Sequence, residues 1–301
     1  MDWKEKYNKK LIVILGPNAS GKSALAVELA KKFNGEIISA DSRQVYKGMD
    51  IGTGKITKSE MQGIPHYLLD VSSPKRRFSV AQYQKKANDT IKKIYKKRKI
   101  PIICGGTGFY IQSVIDGIII PEVKPDWKFR NLLEKKSSEQ LFQMLKYLDS
   151  RRAENIDKHN KRRLVRAIEI IVKTKKHIPI LQKKEKFDLL ILGITRDKME
   201  LQKRIKERLE KWLKQGIIEE VKRLKKSGLS WKRIEEFGLE YKFIAYQLQN
   251  KMEYNEMVER LQKAIENYAK RQMTWFKRDK RIYWLKDKKT AKRLTENFLK
   301  K

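Results

Sequence analysis

One short motif constrains the fold more than any other part of this sequence. The apolar, β-branched run from Leu11 to Leu15 leads directly into a segment that matches G-x-x-x-x-G-K-[ST] at every position: Gly16-Pro17-Asn18-Ala19-Ser20-Gly21-Lys22-Ser23. Its glycines let backbone N–H groups converge on phosphate oxygens, Lys22 adds a charge, and the Ser23 hydroxyl can bind Mg²⁺. By chance the pattern arises on the order of once per hundred chains of this length. We therefore expect a strand, a phosphate-binding loop and a helix. An ordinary glycine-rich turn is the alternative, and the motif alone does not define a reaction.

Other short apolar runs predict further strands, at 37–38, 67–69, 100–104, 189–194 and 282–285. Helical spacing separates several of them. Strands that alternate with helices form a parallel sheet covered on both faces. Ligands then bind at the carboxyl ends of the strands, where Asp41 and Thr107 fall.

Helical patterns occupy most of the remaining chain, at 23–33, 80–98, 126–177, 198–226, 231–249 and 254–276. After Pro121 the pattern becomes helical without a strand signal until Leu189. We predict an α/β protein with a P-loop NTPase-like parallel sheet flanked by helices. Residues 1–120 and 187–301 would form its catalytic core, and 121–186 a helical insertion domain that contacts the substrate.

Charge points to the class of partner. The 301 residues include 72 Lys and Arg but only 36 Asp and Glu, which gives a formal net charge of +36. A field of this sign attracts polyanions and speeds their encounter, so nucleic acid is the leading candidate partner. A lysine-rich proteome is the alternative explanation, in which the basic runs are only solvated faces.

Several classes of site and location are disfavoured. A single cysteine, Cys104, excludes an intrachain disulfide and cysteine-rich zinc modules, and it is expected to be an inert core residue. The three histidines, His66, His159 and His177, lack metal-ligand spacing. The first apolar stretch is too short for a signal peptide or a membrane span, so we expect a soluble cytoplasmic protein without a membrane partner.

Two loops after predicted strands carry polar groups. In Asp41-Ser42-Arg43-Gln44, the aspartate could bind Mg²⁺, act as a general base, or cap the next segment. Gln44 has the donors and acceptor needed to read a base edge, although a lone glutamine is usually just exposed. The glycines around Thr107 allow close approach of backbone to a ligand, or form a plain turn.

Basic clusters also lie on predicted helices. Lys161 to Arg166 opens one such helix, and Lys203, Arg204 and Arg208 lie on another. Aromatic and basic residues interleave between Tyr268 and Arg278. Such surfaces can contact phosphates or stack bases, but solvated faces and helix packing are the common alternatives.

Taken together, these segments closely resemble the bacterial tRNA dimethylallyltransferases, also called isopentenylpyrophosphate transferases. The resemblance runs in order along most of the chain: GPNASGKS (16–23), ISADSRQVYKGMDIGTGK (38–55), PHYLLDVSSP (65–74), FSVAQY (78–83), PIICGGTGFY (101–110), RRLVRAIEI (162–170), RIKERLEKWLKQGIIEEV (204–221) and AKRQMTWFKRD (269–279). The P-loop followed by DSRQVYKGMDIGTGK is far more specific than the P-loop alone.

The resemblance implies an activity and roles for named residues. Members move a dimethylallyl group from dimethylallyl diphosphate to N6 of adenosine 37, beside the tRNA anticodon. It implies that Asp41 is the general base, that Thr107 lies near the target nucleotide and Arg208 near the diphosphate, and that the P-loop binds a prenyl diphosphate with Mg²⁺ at Ser23. It further implies tRNA contacts, expected with the anticodon stem-loop, at Asp41, Ser42, Arg43, Gln44, Thr107, Arg130, Arg162, Arg163, Leu164, Val165 and Arg166.

Some features depart from the pattern or favour a rival. Members usually carry a Gly-Tyr-Lys-Glu-like motif before a late helix, whereas this chain has Gly238-Leu239-Glu240-Tyr241-Lys242. A P-loop small-molecule kinase shares the motif and sheet, but it does not explain the charge together with DSRQVY and GGTGFY. A translation GTPase would need an Asn-Lys-x-Asp segment, and the nearest string, Asn250 to Glu253, ends in Glu. We expect a monomer.

Overall fold

The structure is a computed structural model that describes residues 9–121, 123–178, 186–285 and 287–301. Within these ranges one six-stranded sheet has the strand order β3-β2-β4-β1-β5-β6, and every neighbouring pair is parallel. The strands are β1 (Lys10–Leu15), β2 (Gly35–Ser39), β3 (His66–Tyr67), β4 (Ile100–Gly105), β5 (Asp188–Ile194) and β6 (Ile282–Leu285). The predicted α/β fold with a parallel sheet is confirmed.

Burial explains why the strands were visible in the sequence. Every residue of β1, β2 and β4 is buried, as expected for strands covered on both faces, which carry continuous apolar runs. The strand predicted at 67–69 is shorter than expected. Leu68 has φ +63°, outside the extended region, so β3 ends at Tyr67.

Helices connect the strands and cover the sheet. Their bounds are α1 (Lys22–Lys32), α2 (Lys58–Met61), α3 (Val80–Lys96), α4 (Gly108–Ile115), α5 (Trp127–Glu134), α6 (Ser138–Leu148), α7 (Ser150–Glu154), α8 (Lys161–Thr174), α9 (Lys198–Lys214), α10 (Ile217–Lys226), α11 (Trp231–Glu235), α12 (Leu239–Leu248), α13 (Tyr254–Phe276) and α14 (Lys288–Lys300).

Two of the predicted helices are each broken in two. The helix predicted at 198–226 is interrupted at Gly216, and that at 231–249 at Gly238. Their φ angles are +89° and +132°, conformations that L-residues rarely adopt and that glycine tolerates. Each glycine therefore lies between two helices and is the N-cap of the second one.

The sheet separates two apolar layers. Val13 and Ile38 face one layer, which includes Tyr83 and Ile265, while the alternate residues Ile12 and Ile37 face another, which includes α1 and α14. This alternation follows from the period of two in a strand.

The chain forms two compact units. The first consists of residues up to Ile115 together with Lys186–Lys301, and the second of Asp116–Glu185. The second unit contains α5 to α8 and has its own core, formed by residues that include Leu133, Leu141, Leu145, Leu164 and Ile168. No helix in the described ranges is both long and apolar enough to cross a membrane.

Candidate active site

Sheet register brings three loops of the first unit side by side. Leu15 of β1 is paired with Gly105 of β4, and Ser39 of β2 is paired with Cys104. Because the strands are parallel, the segments that follow them leave the sheet at the same edge. The P-loop, the Asp41–Gln44 segment and Thr107 therefore gather there, as the sequence predicted for this edge.

The P-loop carries the features of an anion cradle. Lys22 Nζ donates to the carbonyl oxygen of Pro17 at 3.1 Å, so its side chain folds back over the loop. The Ser20 hydroxyl is buried and has no hydrogen-bond partner among the described residues. A buried hydroxyl without a partner is uncommon, and a phosphate oxygen would satisfy it.

Two cations share this edge with Asp41. Burial lowers the pKa of Lys22, and the charge of Arg208 lowers it further, while Cys104 and Asp41 raise it. Burial likewise lowers the pKa of Arg208, whereas Glu240 and Asp41 raise it. The Arg208 guanidinium also lies 4.4 Å above the Trp212 ring. Positive charge here is thus partly removed from water, which favours binding an anion.

Asp41 is held by its own loop through one oxygen. Its Oδ1 accepts hydrogen bonds from the backbone N–H groups of Arg43 (2.8 Å) and Gln44 (3.4 Å). Its Oδ2 forms no hydrogen bond within the described ranges. Asp41 therefore caps its turn, one of the three roles that the sequence left open, and still has an oxygen with which to accept a proton.

Thr107 joins the β4 turn to the Asp41 loop. Its Oγ1 accepts a hydrogen bond from the backbone N–H of Ser42 at 3.0 Å, and its own N–H donates to Ala40 O at 3.1 Å. The approach is so close that a Cβ at Gly105 would lie 2.2 Å from Ala40 O. Only glycine fits there, so the GGTG segment is more than a plain turn.

The Gln44 side chain forms hydrogen bonds with other parts of the protein. Its amide nitrogen donates to the carbonyl oxygens of Thr53 (3.2 Å) and Gly54 (3.1 Å). Its Oε1 accepts from the Ser39 hydroxyl at 3.0 Å. The idea that this side chain reads a base edge is therefore not favoured, because both of its amide donors are already used.

Sequence reasoning missed Gln272, which joins two of the loops. From α13, its Oε1 accepts from Asn18 N and its Nε2 donates to Gly106 O, both at 2.9 Å. The side chain is buried on the same helical face as Leu261, Ile265, Ala269 and Phe276. The available signal was a polar residue on the apolar face of a helix. Such a residue is expected to be buried and to have a hydrogen-bond partner, since buried polar groups are rarely unpaired.

Glu240 was noted in the sequence only as part of an unusual segment. Burial raises the pKa of its carboxyl, while Arg208 lowers it and Asp41 raises it. A Cβ at Gly238 would lie 3.5 Å from Arg43 Nε and 3.7 Å from Glu240 Oε2. The segment 238–242 therefore contributes an acid beside the cations of this site.

Cys104 behaves as the sequence predicted for an inert core residue. It is buried in β4, and burial raises the pKa of its thiol to about 11. The thiol is therefore protonated at neutral pH and is a poor nucleophile.

Arg130 and Arg166 belong to the second unit, where both bind a buried carboxylate. Arg130 contacts Glu169 through two hydrogen bonds, Nε to Oε1 at 2.8 Å and Nη2 to Oε2 at 2.6 Å. Arg166 donates to Glu169 and, at 3.0 Å, to Val123 O. Burial alone would raise the pKa of Glu169, but the bonds from Arg130, Asp126 N–H and Arg166 keep it below its usual value.

The predicted RNA-contact stretch 162–166 divides by burial. Arg162 and Arg163 are exposed at the start of α8, whereas Leu164 and Val165 are buried in the core of the second unit. The side chains of Leu164 and Val165 are thus not exposed, so the contact predicted at these two positions would have to use their backbone. Apolar residues at these positions hold the helix whose exposed face carries the two arginines.

Comparison with known sequences decides the family. The family model described as IPP transferase matches residues 44–279. This chain belongs to the IPP transferase family. A tRNA dimethylallyltransferase from Carboxydothermus hydrogenoformans is 43% identical over 302 residues, covering 97% of both chains. One from Thermoanaerobacter pseudethanolicus is 42% identical over 304 residues, covering 97% of this chain and 96% of the relative.

Solved structures of the family agree with the fold. The full-length tRNA isopentenylpyrophosphate transferase of Bacillus halodurans superposes with a TM-score of 0.74 and 33% identity, covering 97% of both chains. A eukaryotic dimethylallyltransferase, solved acting on tRNA, has a TM-score of 0.79 and 29% identity, covering 92% of this chain and 73% of that chain. The predicted resemblance to tRNA dimethylallyltransferases is confirmed.

Residues at the P-loop also fit a magnesium ion. No group of three or more His, Cys, Asp or Glu that could bind a metal occurs in the described part of the chain. Mg²⁺, however, commonly uses few protein ligands and is completed by substrate phosphates and water. A serine hydroxyl at the start of α1, next to Lys22 and a cradle for phosphate, suits that mode of binding.

Proposed function

We propose that this member of the IPP transferase family transfers a dimethylallyl group from dimethylallyl diphosphate to N6 of adenosine 37 in tRNA, next to the anticodon, and releases diphosphate. The observation that carries the proposal is the meeting of Lys22, Arg208 and Asp41 at one edge of the sheet. Relatives named tRNA dimethylallyltransferases support the substrates.

Lys22 and Arg208 act on the donor. The diphosphate leaves with growing negative charge as the allylic C–O bond breaks. The P-loop N–H groups, Lys22 and Arg208 stabilise that charge, and one preorganised donor of this kind is worth roughly 3–4 kcal/mol. Both cations carry pKa values lowered by burial, so an arriving diphosphate relieves an unfavourable state of the free protein.

Asp41 acts on the acceptor. The adenine amine is a weak nucleophile, because its lone pair is delocalised into the ring. As the new C–N bond forms, Asp41 Oδ2 accepts a proton from the amine, while Oδ1 stays bound to Arg43 N and Gln44 N. General-base assistance of this kind contributes about 10²–10⁴-fold.

Magnesium binding at Ser23 is part of the proposal. The Ser23 hydroxyl and the donor's phosphate oxygens would hold the ion, which supplies positive charge against the leaving diphosphate. Independently of the metal, holding donor and acceptor in line lowers the activation barrier by roughly 7–11 kcal/mol.

The anticodon stem-loop is the proposed polyanionic partner. Adenosine 37 lies in a single-stranded loop, so extruding it costs only a few kcal/mol. Exposed Arg162 and Arg163 of the second unit are the proposed backbone contacts there. The protein is proposed to work as a monomer in the cytoplasm, where tRNA is found.

Transfer of label tests the proposal directly. The protein is incubated with Mg²⁺, labelled dimethylallyl diphosphate and unmodified tRNA, and tRNA nucleosides are analysed by mass. We expect one dimethylallyl group on adenosine 37 and none on a matched tRNA with guanosine at that position. ATP turnover without label on tRNA would instead indicate a small-molecule kinase and refute the proposal.

A further inference from the structure

A loop of the first unit, residues 49–55, borders the candidate active site. Its Thr53 and Gly54 carbonyl oxygens accept the hydrogen bonds from the Gln44 side chain. A Cβ at Gly54 would lie 3.0 Å from the Trp212 ring and 3.8 Å from Arg208 Nη1. The loop therefore contacts both the segment that carries Asp41 and the helix that carries Arg208.

One buried carboxylate binds this loop. Glu220 of α10 is 1% exposed. Its Oε2 accepts from Asp50 N and Ile51 N, both at 2.8 Å. Its Oε1 accepts from Gly52 N at 3.1 Å and from the Tyr241 hydroxyl at 2.7 Å. Three successive backbone donors thus converge on one charge, and such charge-assisted bonds are roughly twice as strong as neutral ones.

Packing leaves the loop little room to move. A Cβ at Gly52 would lie 2.9 Å from the Tyr241 ring and 3.1 Å from Ile217. At the end of the loop, Lys55 Nζ contacts Asp50 Oδ1 at 2.5 Å and Asp70 Oδ1 at 2.6 Å. Glu220 and Lys55 therefore fix the loop at its two ends.

Gln44 connects this loop to the Asp41 carboxylate. Its side chain is bound by the loop, and its backbone N–H donates to Asp41 Oδ1. A shift of residues 50–54 would move the Gln44 amide and, with it, the turn that orients Asp41. Loss of about 1 Å in placement at a reacting group can cost roughly 10²-fold in rate.

We propose that Glu220 is a positioning residue for the transfer reaction, which acts by holding backbone amides 50–52 so that the loop orients Gln44 and the Asp41 turn. It touches neither substrate. The expected effect on kcat rests on the proposed function. The expected effect on hydrogen exchange of the loop rests on the structure alone.

Glu220→Gln tests the inference, because it keeps the shape of the side chain but removes its charge and turns an amide group toward backbone donors. We expect kcat to fall by about 10–10²-fold while the Kd for tRNA stays within about twofold, since the phosphate contacts are unchanged. Hydrogen exchange of amides 50–52 should rise in the same variant.

Glu36→Gln is the matched control. Glu36 is equally buried, at 1% exposed, and it pairs with Lys97 and Lys99 near the amino end of β2, away from the carboxyl edge. We expect it to lower thermal stability and to leave kcat unchanged. An equal fall of kcat in both variants would show general destabilisation and overturn the proposal, as would an unchanged kcat in folded Glu220→Gln.

Tyr241→Phe supplies a milder variant if Glu220→Gln does not fold. It removes one bond to Glu220 and leaves the three backbone bonds in place. We expect a smaller fall of kcat, with faster exchange at residue 52. Unchanged exchange and kcat would refute the inference. If wild-type protein transfers no prenyl group at all, the proposed function fails, whereas the exchange arm still tests whether Glu220 holds the loop.

Discussion

At the scale of single residues, Asp41, the proposed general base, meets two requirements of a reactive carboxylate. A base must be fixed in place, yet it needs an oxygen that is not already saturated with hydrogen bonds. Oδ1 is bound by two backbone N–H groups, and Oδ2 is not bound within the described ranges. One side chain is thereby both anchored and available.

Asp41→Asn should separate chemistry from binding. The amide keeps an oxygen for the two backbone donors but cannot take a proton, so we expect the rate of transfer to fall by about 10²–10⁴-fold. Binding of tRNA, measured by filter retention, should persist. Single-turnover assays at saturating tRNA measure the rate.

Asp197→Asn is the control for this substitution. Asp197 caps α9 through the same kind of bonds, to Met199 N and Glu200 N, and asparagine is an equally good cap. We expect its rate to be unchanged. Equal loss of tRNA binding and rate in Asp41→Asn would mark Asp41 as structural.

At the scale of elements, the second unit depends on a charge buried between its helices. Glu169 of α8 is fully buried and binds the N–H of Asp126, at the start of α5, as well as Arg130 within that helix. These bonds lower the pKa of a carboxyl that burial alone would raise. The ion pair therefore fixes α5 against α8 and keeps Arg130 and Arg166 ordered.

Stability of the second unit should depend on pH through Glu169. Because its folded pKa lies below the ordinary value of 4.5, the ionised group stabilises the fold at neutral pH. That contribution is lost as pH falls below about 4.5 and through the folded pKa. Hydrogen exchange of α8 amides between pH 7 and pH 3 measures it.

Glu169→Gln should remove most of this dependence. We expect a loss of about 1–3 kcal/mol at pH 7, because two arginines lose a charged partner. The dependence of α8 exchange stability on pH should become shallower in the variant. An identical pH profile in both proteins would contradict the assignment of the effect to Glu169.

The elements that could be predicted from sequence are those with a simple pattern. Strands covered on both faces need continuous apolar runs, so β1, β4 and β5 were visible directly. The breaks at Gly216 and Gly238 were not predicted, because the helical spacing continues on both sides of each glycine. The C-terminal helix α14 was missed, since six of its 13 residues are charged and few are apolar.

Sites could be predicted where a residue follows a strand or belongs to a motif. The position of Asp41, Thr107 and the P-loop at one edge of the sheet was predicted in that way. Gln272 and Glu220 could not be given roles, because a long-range bond to a backbone group leaves no local pattern in the sequence. Each lies on an apolar helical face, and only the fold reveals which loop it holds.

At the scale of the whole molecule, excess positive charge is the dominant feature. Lys and Arg outnumber Asp and Glu by 72 to 36, and few of these charges lie inside the core. Two buried acids, Glu36 and Glu169, are paired with basic side chains, and a third, Glu220, is bound by backbone N–H groups and the Tyr241 hydroxyl. Most of the uncompensated charge is therefore on the surface, where it can act on a polyanion.

Binding of tRNA should weaken steeply with salt. If the protein neutralises six or more phosphates, affinity should fall on the order of 10³-fold between about 50 and 200 mM salt. Filter binding at several salt concentrations in this range measures the slope of log affinity against log salt concentration. A flat response would show that few phosphates are contacted.

Gln272 also bears on how the enzyme matures. A ribosome makes the P-loop before α13, so the loops at Asn18 and Gly106 are synthesised well before the residue that joins them, which is 254 positions after Asn18. A nascent chain that stops before α13 has its phosphate loop but lacks the tie that joins it to the β4 turn. The hydrogen bonds that join these two loops therefore form only after α13 has been synthesised and has packed against the sheet.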